Sequence, residues 1–353
     1  MLPLVNGRLL KGTPLNRKRL AGFTVAAIAA TAMSSVATAS AGAAELTGAG
    51  STLVKPLIEK WKTPFESKTG IKVNYGAGGS AKGISEITAR TVTFGASDAP
   101  LTPTQAAECK GCVEIPWALT ATSVGFHLEG VESLKLTGPV LVEIFDGSIT
   151  NWDSPKIDKL NPGESFPNLA ITVVHRSDGS GDTYAFTNYL SKVSPFWKKT
   201  YGFSTEFRAS VGVGAKGNAG VAAVLNSTNG SIGYASASYL IENGLKGAAI
   251  QNAAGKFKNA SLKAIEAAAA TITKVPPNNE LHIVDPPKSA KEAYPISTFT
   301  YVIVPKATTA KAELAQWIEY AIGEGQEFGP PKDFAPLPKV VLKADRATLK
   351  KLT

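Results

Sequence analysis

The stretch IKVNYGAGGSAKGISEITARTVTFGASDAP spans residues 71–100. Ile71, Val73 and Tyr75 alternate with polar residues, which is the period of a strand. Gly76–Gly79 then turns the chain, and Ser80 opens a helix that runs through Ala89. Val92–Ala96 is a second short strand, and Ser97-Asp98-Ala99-Pro100 leaves its end. Strand, helix and strand in one run form a βαβ unit, so the sheet is expected to be largely parallel, with helices on both faces.

The same alternation continues in both directions. Upstream, Gly48-Ala49-Gly50-Ser51-Thr52 precedes a helical pattern from Leu53 to Phe65, with Leu57, Ile58 and Trp61 on one face and Gly70 closing it. Downstream, Thr102–Glu108 reads as a helix, Val113–Trp117 as a strand that Pro116 interrupts without ending, and Thr122–Leu128 as another strand. A second unit starts near Leu136. It holds a helix at Val140–Phe145, a strand at Ile171–Val174, a glycine turn, and a helix at Thr183–Leu190. Val221–Leu225 reads helical, Gly230–Tyr234 as turn plus strand, and Lys258–Ala270 as partly helical. Ile296–Val304 is a strong strand, Ala312–Ile322 a helix that Gly323 ends, and Lys339–Lys351 a solvated basic tail. At 353 residues the chain exceeds one comfortable core, so one large or two ordinary domains are expected.

The net charge is +9, but Arg8, Lys11, Arg17, Lys18 and Arg19 lie in the first 44 residues with no acid. Removing those five leaves +4, interleaved with acids, which is not a nucleic-acid footprint. A basic stretch ending at Arg19, an apolar stretch over Ala21–Val36 and a run of small residues make the three-part secretory leader, residues 1–44. The leader carries no cysteine for a lipid anchor. No later run is apolar enough to span a membrane. The mature chain is thus expected outside the cytoplasmic membrane, where Cys109 and Cys112 oxidise. Their Cys-x-x-Cys spacing is that of a redox pair. They follow a helix rather than open one, however, and a small structural disulfide is the preferred reading.

Three segments put small residues with free N–H groups at helix starts: Gly50-Ser51-Thr52, Gly78-Gly79-Ser80 and Gly179–Thr183. Such ends hold oxyanions, although any one alone is equally an ordinary N-cap. None has the Gly-Lys-Ser/Thr ending of a nucleotide-binding P-loop, and Gly76–Ser80 misses the dinucleotide spacing. Arg176 precedes the third turn and can fork onto an anion, with Asp178 near enough to brace it. Asp98 lies at a strand end, where open α/β sheets bind ligands. His127, His175 and His282 show no metal-ligand spacing, and no serine sits in a nucleophile elbow. No enzyme, cofactor or metal is expected.

Taken together, these residues resemble the periplasmic phosphate-binding protein of the bacterial phosphate ABC transporter, over essentially all of residues 45–337. The resemblance rests on LTGAGST (46–52), VNYGAGGS (73–80), TFGASDAPL (93–101), FDGSITNW (145–152), RSDGSG (176–181), GNAGV (217–221) and GSIGY (230–234). It implies the two-lobed α/β fold of type II periplasmic binding proteins, with the ligand in the cleft. One lobe would hold residues 45–127 and 296–353, the other 128–295. It implies phosphate ligands Thr52, Leu53, Ser80 and Asp98 from the first lobe, and Arg176, Ser180, Gly181 and Asp182 from the second. Ser51, Asp178 and Thr183 would support them, Asp178 by pairing with the arginine. Leu53 stands where an aromatic is common, and Asp182 where many members have threonine. The implied function is capture of inorganic phosphate by a monomer and delivery to a membrane permease. Sulfate or molybdate is the alternative ligand.

Overall fold

The glycines of β1 (Glu45–Gly50) let one neighbour pack closely, since a Cβ at Gly48 or Gly50 would meet Phe94 or Ala96. This strand lies between β2 (Lys72–Ala77) and β3 (Phe94–Ser97) and runs parallel to both. The structure, a computed structural model, describes residues 44–352. The expected leader lies, but for Ala44, outside the described residues. Between these strands run α1 (Lys55–Thr69) and α2 (Ser80–Thr88). Helix α1 begins at Lys55, two residues later than the apolar pattern, with Pro56 in its first turn, and Gly70 ends it at φ 72°. In α3 (Pro103–Glu108) Thr102 and Gln105 make a reciprocal capping box. Cys109 and Cys112 are joined by a disulfide at the C-terminal end of that helix.

The sheet is mixed rather than largely parallel. One 16-residue strand, β4 (Cys112–His127), replaces the two strands expected there. Pro116 is accommodated beside a register shift against the neighbouring strand. Next come β5 (Lys135–Leu136), α4 (Gly138–Phe145), α5 (Pro155–Asp158), β6 (Thr172–Arg176), α6 (Gly181–Val193), α7 (Pro195–Thr200), β7 (Val213–Ala215), α8 (Gly217–Ser227), β8 (Ser231–Ser236) and α9 (Ala237–Glu242). The chain continues through β9 (Lys246–Gly247), β10 (Ala249–Gln251), β11 (Phe257–Lys258), α10 (Leu262–Ala269), β12 (Ser297–Pro305), α11 (Lys311–Ile322) and α12 (Lys339–Leu349). The main sheet runs β2-β1-β3-β12-β4-β8-β6-β7, with β9 also on β4. Its outer strands are parallel, but β12 is antiparallel to β3 and β4, and β4 is antiparallel to β8.

Two sheet-containing lobes therefore share β4. Residues 112–121 of that strand pair with β12, and residues 122–127 pair with β8. Each side has its own aromatic packing. Trp61 meets Trp117 and Trp317 at ring-centroid distances of 5.3 and 5.8 Å, and its Nε1 donates to the Gly325 carbonyl. On the other side Phe186 stacks on Tyr234 at 4.5 Å and meets Phe145 at 4.6 Å.

Two further expectations need correction. Helix α6 begins at Gly181, not Thr183, because Ser180 caps it and so draws Gly181 and Asp182 into the first turn. The basic tail is not simply solvated. It forms α12, which buries Val341, Asp345, Thr348 and Leu349 on one face.

Candidate functional site

Loops leaving the C-terminal ends of strands from both lobes converge on Asp98. From one side come Ser51 and Thr52 after β1, Ser80 at the start of α2, and Asp98 after β3. From the other come Arg176 at the end of β6, Ser180–Asp182 opening α6, and Gly217-Asn218 opening α8. Asp98 is buried, and its carboxylate accepts from Ser51 Oγ at 2.6 and 2.7 Å and from Ser80 Oγ at 3.3 Å. Burial, followed by the facing Asp182 charge, pushes its carboxyl up to about 7.

The lobes touch directly here. The Gly181 N–H donates to Ser80 Oγ at 3.1 Å, and the Ala81 N–H donates to the Gly179 carbonyl at 3.1 Å. The glycine at 181 is required by this approach, since a Cβ there would lie 2.3 Å from Asp98 Cβ. The N-termini of α2 and α6 thus meet beside one buried carboxylate. Helix ends of this kind favour anions.

The Arg176 fork is directed at Asp178 rather than left open. Nε and Nη2 donate to its two oxygens at 2.7 and 2.6 Å, and Nη1 donates to Asp182 Oδ2 at 3.0 Å. Burial works against the Asp178 charge, yet Arg176 holds this carboxyl below the usual range. The Gly217 N–H adds a bond to Asp178 at 2.9 Å. Burial raises the Asp182 carboxyl, while Arg176, Asn218 and Thr122 pull it down. Thr122 Oγ1 donates to Asp182 Oδ1 at 2.8 Å, and Asn218 Nδ2 donates to Oδ2 at 2.7 Å.

Asn218 also spans the lobes, since Nδ2 donates to Thr52 Oγ1 at 3.0 Å and the Ser236 N–H fixes its carbonyl at 2.7 Å. All eleven residues named from the sequence lie in or next to this cluster, but not all present the expected group to it. The Leu53 N–H donates to Ser51 Oγ at 3.0 Å, and its side chain is core. Ser180 Oγ accepts from the Asp182 and Thr183 amides. Thr183, expected to support the site, pairs its Oγ1 with the Tyr234 hydroxyl at 2.9 Å. Sequence reading missed Asn218 and Thr122. Asn218 stood within the quoted 217–221 block, whereas nothing local marked Thr122.

Among the described residues, no cluster of His, Cys, Asp and Glu could hold a metal ion, and no helix is long and apolar enough to cross a membrane. His127 Nδ1 is bonded to the Leu225 carbonyl and His282 pairs with Glu280.

Two lobes on a shared strand, with helix N-termini facing each other across a buried anion-type cluster, define a solute-binding protein. The family model described as the PBP superfamily domain matches residues 35–324. The chain is 36% identical over 304 residues to the phosphate-binding protein PstS of Xylella fastidiosa strain Temecula1, covering 85% of this chain and 83% of that one. It is 36% identical over 313 residues to PstS of Pasteurella multocida, covering 86% and 90%. A crystal structure of a phosphate-binding protein from Stenotrophomonas maltophilia has the same fold, with TM-score 0.69 at 19% identity over 86% of this chain and 94% of the other. The chain belongs to the PstS family of phosphate-binding proteins, and is a solute-binding protein rather than an enzyme.

Proposed function

We propose that the protein captures inorganic phosphate between its lobes, outside the cytoplasmic membrane, and delivers it to the transmembrane permease of an ABC transporter. Residues 45–127 with 296–353 act as one lobe and 128–295 as the other. The pairing of β12 with β3 supports this division. The relatives' names and the site chemistry point the same way.

The observation that carries the reading is the meeting of Ser80 Oγ and the Gly181 N–H, 3.1 Å apart, beside Asp98. In this reading the backbone N–H groups of Thr52, Leu53, Gly181 and Asp182 and the hydroxyls of Thr52, Ser80 and Ser180 donate to phosphate oxygens once the lobes part to admit the anion. Ser51 holds Asp98, Asp178 orients Arg176, and Thr183 steadies Tyr234 behind the helix start. Arg176 supplies the cation. Asp98 accepts a proton-bearing phosphate oxygen, which sulfate lacks, so sulfate leaves a buried carboxylate facing a lone pair. Molybdate is excluded on the same ground at neutral pH.

Calorimetric titration with phosphate, sulfate and molybdate at one ionic strength tests this. Saturable heat is expected for phosphate at concentrations where the others give none. Tighter binding of sulfate or molybdate would overturn it.

A further inference from the structure

The charges of this cluster are unbalanced for a dianion. Among the described residues, Asp98, Asp178 and Asp182 face a single cation, Arg176, within one connected set of hydrogen bonds. Asp178 is committed to Arg176 through two bonds and needs no proton. Asp182 is wholly buried at the first turn of α6 and draws the remaining guanidinium nitrogen to itself. The Asp182 charge is second only to burial in raising Asp98. The other titratable groups around the two carboxylates are Tyr75 beside Asp98, and Tyr234 and Tyr239 beside Asp182. Burial pushes the last two up to about 12 and raises Tyr75 well above its ordinary value, so all three stay neutral near pH 7. Among the described residues, no histidine or lysine is bonded to Asp98 or Asp182.

Resting on the phosphate reading above, we propose that Asp182 makes this site hold its ligand with two protons, one set against Asp98 and one against Asp182, so that the bound species is in effect dihydrogen phosphate. Asp182 is then a specificity-determining residue that selects the protonation state of the anion. The balance is simple. At pH 6 phosphate arrives largely as H2PO4⁻ and brings both protons. At pH 8.5 it arrives as HPO4²⁻, and the second proton comes from solvent. Whether that proton sits on the ligand oxygen or on the Asp182 oxygen, binding then takes up close to one proton. Affinity falls by about tenfold for each pH unit above neutrality.

The test is titration of the full chain with inorganic phosphate at pH 6, 7, 8 and 8.5, in buffers of different ionisation enthalpy, for wild type and Asp182→Asn. Wild type is expected to take up close to one proton per phosphate at pH 8.5 and to lose affinity steeply from pH 7. Asp182→Asn removes the need for the second proton. Its uptake should be near zero, its pH profile flat, and its affinity at pH 8.5 at least tenfold above wild type. Wild-type binding with no proton uptake at pH 8.5 overturns this inference while leaving phosphate as the ligand. Equal uptake in wild type and variant also overturns it. No binding of phosphate by wild type even at pH 6 sinks the parent reading, and this one with it. Should Asp182→Asn fail to fold, the wild-type proton count alone decides.

Discussion

Gly181 sets how closely the lobes can approach. Its Cα faces Asp98 so tightly that an added Cβ would meet both the Cβ and a carboxylate oxygen of that residue, at 2.3 and 2.5 Å. The neighbours cannot yield cheaply, because Asp98 is buried and held by two serines. Gly181→Ala is therefore expected to oppose closure by about 1–3 kcal/mol, the usual cost of overpacking, and to weaken ligand binding correspondingly. Because the strain arises between the lobes, thermal unfolding without ligand should change little. A titration in which Gly181→Ala binds as tightly as wild type would show that the lobes do not close on this contact. Residue by residue, the site was legible where its chemistry is local. Ser80, Asp98, Arg176 and Gly181 stand in short turns after strands, and elementary rules about strand ends and helix starts find them. Thr122 and Asn218 were illegible because their roles come from partners 60 and 36 positions from them in the chain, joined at Asp182. The direction of the Arg176 fork was hidden for a similar reason, since a sequence does not say whether an arginine answers a ligand or its own neighbours.

Helix α12 shows how an element can hide in a charged stretch. Lys339–Lys351 is dense in lysine, yet Val341 and Leu349 fall on one face and pack into the main core. On that face sits Asp345, wholly buried, with neither carboxyl oxygen bonded to a partner among the described residues. Burial pushes its carboxyl up to about 9 from 3.8. A carboxyl raised on folding favours the fold fully below the ordinary carboxylate range and loses that contribution as pH climbs toward the raised value. Asp345→Asn removes the titration. Between pH 4 and pH 9 wild type should lose several kcal/mol of unfolding free energy relative to Asp345→Asn, at up to about 1.4 kcal/mol per pH unit. Denaturant unfolding across that range checks it, and parallel curves for the two proteins would refute it. The longer strands and most helices were readable from periodicity, while the short β5, β7, β9, β10 and β11 were not. Nor was the continuity of β4, because residues 118–121, between the two expected strands, carry no local signal that joins them. Only pairing with β12 on one half and β8 on the other makes it a single strand.

The two lobes share β4 and meet through a few polar contacts at Ser80, Ala81, Thr52 and Asn218. Closure brings the Asp98 and Asp182 carboxylates together, and like charges at close range oppose it. On the proposed reading, a proton-bearing anion reverses that balance by donating to the carboxylates while accepting from the helix ends. A ligand that prefers one conformation shifts the population toward it by its difference in affinity, and hinge closure is the form such a shift takes in two-lobed proteins. The closed arrangement should therefore be favoured by phosphate and not by sulfate, which has no proton to offer Asp98. Small-angle X-ray scattering of the protein alone, with saturating phosphate, and with the same concentration of sulfate tests this most directly. The account predicts a smaller radius of gyration with phosphate and no change with sulfate. An unchanged radius with phosphate, or the same contraction with sulfate, would contradict it.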